Sequence, residues 1–458
     1  MAIKRISVLD ATFLQIETSA VPAHVAGLMV FQLPEDAPAD FVKGIVQAYR
    51  AERPLNTPWN LKLARVSLGW LAPAMERLAH IDLDYHVRHM ALPAPGGERE
   101  LGELISHLHG QTLDRSRPLW TCDVIEGLSH GRFAIYVKMH HALTDGVNGI
   151  RMLTRSLADS ATGEWHAPWH APKQTTARKS GKTMVRQIMP PREIADALVK
   201  AFKPLFSQTR ATNPVMLPFQ APHSVLNHRI TAARRVATQR LLMSRIQHLA
   251  RASGTSVNDV FLAVCSTALR RHLQASGDLI AEPLVAGVPV SLREEGEEGG
   301  NAVGFLWTTL ATHIDDSHER LQAIHASMAA SKAHLRAMPA PVRRIYTMLT
   351  MAPAVGSMLS GLGATLRPPM NIIISNVPGP ETARYLDGAR LEALYPISVP
   401  LQGMGLNITG ISYDGHLDIG ITGSRDTLPS LQKIAIYARE ALDDLEATLA
   451  EDVPLASA

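Results

Sequence analysis

Cysteine is scarce in this chain, with only Cys122 and Cys265 among 458 residues. The two stand far apart, match no metal-ligand spacing and supply no disulfide framework, so a reducing compartment is expected. Aromatic residues reach only 5%, which leaves few platforms for stacking bases and argues against nucleic acid as a partner. Charged residues are also few, at 19%, with a formal net charge of +3. Behind Lys4 and Arg5 there is no apolar run of signal-peptide length, so secretion is not expected. Apolar residues make up 46%, and the length suits two or three domains with a large core. Disordered and fibrous architectures are excluded.

Charge is missing locally as well. No residue from Ile345 to Leu366 is charged, and Arg343, Arg344 and Arg367 flank the stretch. Its length approaches the roughly 20 residues that span a bilayer. Pro353, Gly356, Gly361 and Gly363 interrupt it, however, and favour a buried or interface-seeking helical pair. Its Met and Gly would suit the wall of an apolar channel; ordinary helix packing explains them equally well.

The two hydrophobic periods alternate along the chain and predict an α/β fold. His24 to Leu33 and Arg132 to His141 read as strands, Arg99 to His109 and Gly149 to Leu157 as helices. After Val215 the alternation resumes. Strands are expected at Val236 to Leu242, Pro283 to Val290, Val303 to Leu310 and Asn371 to Ser375. Helices are expected at Ser244 to Arg251, Asn258 to Leu273 and Leu428 to Leu449. Gly405 to Tyr413 and His416 to Thr422 form a hairpin turned at Asp414-Gly415, a dipeptide that tight turns favour. The expected division is residues 1–170, a linker at 171–214, and 215–458.

Residues 171–210 carry nine basic and two acidic side chains, a net +7 against −4 for the remainder. Within them, Ile188 to Phe206 spaces Ile194, Leu198, Phe202, Leu205 and Phe206 among lysines and arginines, as a basic amphipathic helix does. Two readings stand: a solvated linker, and a lipid or membrane contact through residues 182–210.

The densest chemistry is His140-His141-Ala142-Leu143-Thr144-Asp145-Gly146, directly after a strand. Successive strand residues face opposite sides, so His140 and His141 do not share one ligand and no metal site is expected. His141 leans into a cleft as a general base while His140 packs; a neutral imidazole suits proton abstraction from a hydroxyl. Asp145 fixes the turn or orients the ring, and Gly146 permits a tight entry into the next helix. The alternative is a buried structural histidine pair with a turn aspartate. Ser256 with Asp259 reads as a capped helix start, Pro118-Leu119-Trp120 as the start of a buried strand, and Asn376 to Pro380 as a rigid turn.

His-His-x-x-x-Asp-Gly resembles the motif of the CoA-dependent acyltransferase superfamily. The wider chain resembles the bacterial wax ester synthase/acyl-CoA:diacylglycerol acyltransferase family, through Leu9-Asp10-Ala11-Thr12-Phe13, Pro118-Leu119-Trp120, Asn258-Asp259, Pro289 to Arg293, Asn376 to Pro380 and Arg425 to Pro429. Many members have Pro-Met-His-Val-Gly-Gly near the start, whereas Pro22-Ala23-His24-Val25-Ala26-Gly27 stands here. The resemblance implies two chloramphenicol acetyltransferase-like domains with mixed sheets and a channel between them. It implies transfer of a long-chain acyl group from acyl-CoA, a co-substrate rather than a resident cofactor, to a fatty alcohol or diacylglycerol, giving a wax ester or triacylglycerol. His141 is then the base in a ternary complex without an acyl-enzyme, and neither cysteine is needed as a nucleophile. Asp145 becomes structural, ion-paired to an arginine such as Arg293, and Asn258 and Asp259 join the active-site region. The alternatives are a condensation-type enzyme with a carrier-protein donor, a transferase for small soluble alcohols, and a non-catalytic coat protein of lipid inclusions. A cytoplasmic protein held peripherally at membranes or inclusions is expected.

Overall fold

The computed structural model describes residues 3–64, 73–172, 190–206, 215–291, 303–359 and 367–451. Two six-stranded mixed sheets organise it. The first runs in the order Tyr385–Leu386, Ala389–Ile397, His24–Gln32, Arg132–His140, Trp120–Leu128, Val87–Ala91. Its neighbours are antiparallel except for the last pair. The second runs Val303–Thr309, Val285–Ser291, Ile372–Pro378, Leu406–Tyr413, His416–Ser424, Arg234–Leu242. There Ile372–Pro378 lies parallel to both of its neighbours. A small sheet of Ile3–Arg5, Ala74–Arg77 and Leu61–Leu63 flanks the first.

Both faces of the first sheet are buried, which is why its central strands read as nearly unbroken apolar runs. Phe133, Ile135, Val137 and Met139 enter one core with Met29, Phe31 and Trp120. Ala134 and Tyr136 enter the other, beneath the helix Glu98–Gly110. The second sheet is covered by Val257–Ser276, Ser317–Arg336 and Gln432–Glu451, whose apolar faces form one large core. Asp414 and Gly415 both take positive φ, 44° and 74°, and turn the expected hairpin.

Sheet membership crosses the expected division of the chain. Tyr385–Leu386 and Ala389–Ile397 come late in the sequence yet complete the first sheet, where Ala389–Ile397 pairs with His24–Gln32. Polar stitches fix this crossover. Asp418 of the second sheet accepts the Leu394 amide at 2.8 Å, and Ser106 accepts the Val236 amide at 2.9 Å. The His109 Nε2 donates to the Ser398 carbonyl at 3.0 Å.

The helix Pro191–Phe206 starts on a proline suited to a first helical position, three residues later than the amphipathic pattern suggests. Part of its apolar face is occupied by protein: Ala201 is buried, and Leu198 and Phe202 pack on the C-terminal core. The rest of the basic linker, at 173–189 and 207–214, lies outside the described residues. Instead of a helical pair within Ile345 to Leu366, one helix spans Ala340–Leu359, with 360–366 outside the described residues. It buries Val342, Tyr346 and Thr350 at helical spacing and exposes Met348 and Leu349. No described helix is long and apolar enough to cross a membrane.

Where the crossover meets the second sheet, Gly420 faces the Pro396 carbonyl, and a Cβ there would collide with that backbone oxygen. Gly420→Ala is expected to destabilise the protein by about 1–3 kcal/mol through overpacking. Denaturant unfolding measures this; an unchanged midpoint would show that the two segments separate freely.

Candidate active site

The strand Arg132–His140 ends one residue earlier than its pattern suggests, but its ladder continues locally. His140 pairs in register with His24, and the His141 amide donates to the Ala23 carbonyl at 2.9 Å. Alternation puts His140 on the same face as Tyr136 and Lys138, where it is fully buried. Its Nδ1 accepts the Ala142 amide at 3.0 Å, which leaves the proton on Nε2, 3.5 Å from Glu17 Oε1. Burial pushes the Glu17 carboxyl up, but His140, the Ala23 amide and Arg115 outweigh it and hold the pKa at about 2. His140 therefore packs against an ionised carboxylate and is not open to a substrate.

The same buried face holds more polar groups. His24 Nε2 donates to the His109 carbonyl at 2.7 Å, and burial keeps His24 well below the usual histidine range. Tyr136 bonds His109 Nδ1 at 2.7 Å. Lys138 donates to the carbonyls of Leu108 and Gln111 at 2.7 and 2.8 Å, closing the end of the helix Glu98–Gly110. Burial lowers its pKa to about 8.

His141 is different. It is half-buried, and its ring stacks on Phe13 with centroids 3.8 Å apart and planes 13° from parallel. Its Nδ1 is buried without a partner. Burial, reinforced by neighbouring His140 and opposed by the carboxylates of Asp145 and Asp10, draws its pKa down to about 4. The ring is thus a neutral base throughout the physiological range.

Asp145 caps the helix Gly146–Thr154, its two oxygens accepting from the backbone and side-chain nitrogens of Asn148 at 2.7 and 2.9 Å. Arg293, the expected arginine partner of Asp145, lies outside the described residues. Gly146 has no positive φ, and a Cβ there would meet open space, so the turn does not require glycine. Gly146 lines a small apolar cavity instead.

Two cavities adjoin the motif. One, of about 720 Å³, is walled by Ala142 to Asp145 and ringed by arginines. The other, of about 40 Å³, is walled by apolar residues of both halves, among them Met139, Leu153, Val377 and Ile397. Thr144 belongs to both. Val377 reaches the second because the strand Ile372–Pro378 runs three residues past Ser375, where a turn was expected. Ile345–Leu359 lines neither of these two cavities, and 360–366 lie outside the described residues.

Asn258 and Asp259 line neither cavity, and neither does His141 itself. Asp259 completes a capping box with Ser256 and accepts from His325 Nδ1 at 2.8 Å. Trp120 begins a buried strand and stacks on Trp169 at 4.8 Å, so Pro118-Leu119-Trp120 serves the core. Both cysteine thiols are buried and pushed up, leaving no activated thiolate. No group of metal-ligating side chains occurs among the described residues. Glu17 was invisible to motif reading because it lies far from the histidines in sequence; only the order of the strands makes it their neighbour.

Two mixed six-stranded sheets thus hold a neutral histidine just past the end of a central strand. A sequence model of the wax ester synthase/diacylglycerol acyltransferase catalytic domain matches residues 6–261, and one of the WS/DGAT C-terminal domain matches 299–446. O-acyltransferase WSD of Acinetobacter baylyi is 37% identical over 98% of this chain and 99% of its own length. A Mycobacterium tuberculosis protein named as a candidate diacylglycerol O-acyltransferase is 41% identical over 96% and 99%. The solved wax ester synthase/diacylglycerol acyltransferase of Marinobacter aquaeolei VT8 aligns over 98% and 100%, with 35% identity and a TM-score of 0.80. The chain belongs to the wax ester synthase/diacylglycerol acyltransferase family and is an acyltransferase.

If His141 is the base, acyl transfer follows its deprotonation. The acid limb of kcat/KM is expected with an apparent pKa near 4, flat from about pH 6 to 8. A limb near the ordinary histidine value of about 6.5 would mean that burial does not control the base.

Proposed function

We propose that this enzyme moves a long-chain acyl group from acyl-CoA to the hydroxyl of a fatty alcohol or diacylglycerol, with His141 as general base. The observation that carries this reading is a neutral imidazole, stacked on Phe13, in a motif whose next residues wall one cationic and one apolar cavity. His141 takes the hydroxyl proton as the alcohol oxygen attacks the thioester carbonyl. The C–S bond then breaks, the thiolate takes the proton from His141, and an ester and free CoA leave. Thiolate is a good leaving group, so a base is needed more than a strong acid. Both substrates meet in one ternary complex, and no side chain is acylated. Asp145 and the His140–Glu17 pair hold the turn that presents His141.

The apolar cavity is little larger than one water's share of liquid, about 30 Å³. An alkyl chain therefore enters only when the side chains around it move. The purified enzyme is expected to release CoA from palmitoyl-CoA with hexadecanol or dipalmitoylglycerol. His141→Ala is expected to cut kcat by about 10²–10⁴. Equal turnover would overturn the base assignment. Activity only with a palmitoylated carrier protein would overturn the donor, and none with any acceptor would favour a coat protein.

Lipid contact in the cytoplasm is assigned to the outer face of the packed helices Pro191–Phe206 and Ala340–Leu359. Val199 and Met348 are 72% and 68% exposed there, beside exposed Arg192 and Lys200. Of the expected contact at 182–210, Leu198, Ala201 and Phe202 are already packed against protein. Met348→Asp with Leu349→Asp is expected to weaken flotation with anionic triolein emulsions about tenfold, the scale of one lost apolar anchor. Undiminished flotation would remove this face from the account.

A further inference from the structure

The cavity of about 720 Å³ is large for a fatty alcohol's hydroxyl end and chemically unlike an alkyl tunnel. Arg5, Arg151 and Arg155 line it, all with exposed side chains. Its two acidic residues are occupied: Asp145 caps its helix through Asn148, and Asp10 accepts from the Ser7 hydroxyl at 2.6 Å. Among the described residues, Arg5 and Arg151 have no carboxylate partner. Arg151 sits in the helix that Asp145 caps, and Arg155 is the residue that ends it. Residues four apart share a helix face, and like charges at that spacing repel. Arg5, on the edge strand Ile3–Arg5, brings a third cation to the same space. Arg5 and Arg151 thus offer guanidinium groups that an anion bearing several phosphates can pair. Arginine is also the side chain whose fork matches phosphate oxygens.

We propose that this arginine-rimmed cavity binds the 3′-phosphorylated ADP portion of the acyl donor. The inference rests on acyl-CoA being that donor. Placement agrees with the chemistry. The cavity wall begins at Ala142, the residue after His141. At 1.5 Å per helical residue, Arg151 and Arg155 lie about 8 and 14 Å beyond Gly146 along the axis. Pantetheine, with its two amide units, extends roughly 10–14 Å at peptide-like spacing. A nucleotide held by these arginines therefore leaves the thioester within reach of His141. The cavity's apolar wall, Leu61, Met75, Leu143 and Met152, lies against the arm. On the far side of Thr144 the apolar cavity is left for alkyl chains.

The test uses the full chain and two readouts. The first is the ratio of kcat/KM for palmitoyl-CoA to that for palmitoyl-pantetheine, which lacks the nucleotide. Arg151→Ala is expected to lower this ratio about tenfold or more, with Arg151→Lys falling between. Arg99→Ala, an exposed arginine elsewhere, is expected to leave it unchanged. A change below twofold in Arg151→Ala and Arg155→Ala, or an equal loss with both donors, overturns the proposal. The second readout is calorimetric binding of adenosine 3′,5′-bisphosphate, which needs no turnover. Binding that weakens about tenfold in Arg151→Ala supports the site even if the wild type proves to use another donor. Undiminished binding overturns it. So does an arginine-dependent attraction to phosphatidylglycerol vesicles without nucleotide binding, because the anion is then a lipid headgroup.

Discussion

Burying an ionised carboxylate costs several kcal/mol unless charge and hydrogen bonds meet it. At the base of the site Glu17 is met on three sides, by His140, Arg115 and the Ala23 amide. Ala23 directly precedes the strand His24–Gln32, which pairs with the one that His140 ends, and the Ala23 carbonyl also takes the His141 amide. One carboxylate thus ties the helix Val8–Ile16, which precedes it, to the ends of the two central strands. That helix carries Phe13, the ring on which His141 lies. The geometry of the base depends on this tie, because it sets both where the strand stops and what its last side chain rests against.

The paired histidines divide their work by face. His140 looks into protein and accepts from the backbone, so its chemistry is spent on structure. His141 lies against Phe13, next in sequence to the cavity wall at Ala142, with no partner on Nδ1 and a ring kept neutral by burial. A low pKa makes the resting imidazole a weak base. The carboxylates of Asp145 and Asp10 pull in the opposite sense and limit that fall. The crossover strand Ala389–Ile397 matters for a second reason. It brings Pro396, Ile397 and Ser398 of the C-terminal half to the apolar cavity, so the chamber wall is shared by both halves of the chain.

Much of the fold was legible along the chain. Strands and helices fall within a few residues of their patterns, because period 2 and period 3.6 leave different spacings of apolar residues. The departures have local causes. The closing helix starts at Gln432 rather than Leu428, past Pro429, and Ile372–Pro378 is carried beyond Ser375 by parallel pairing with Leu406–Tyr413. The site was legible in part. The histidine motif and the strand before it marked out His141. Asp259 completes the expected capped helix start with Ser256, and Gly146 answers to open space instead of strain. Glu17 and the second role of Phe13 had no local signal.

Sequence by itself determined the alternation of elements, the chemical type of the motif, the hairpin at Asp414-Gly415, and the scarcity of cysteine that leaves no thiol nucleophile. These depend on neighbours a few residues apart. Tertiary structure decided which histidine is sealed in the core, what sets the pKa of the other, and which arginines share a cavity. It also decided that Leu198, Ala201 and Phe202 of the basic helix pack against protein. Each of those depends on residues brought together from distant parts of the chain, and burial, the largest influence on the His141 ring, is a property of that assembly.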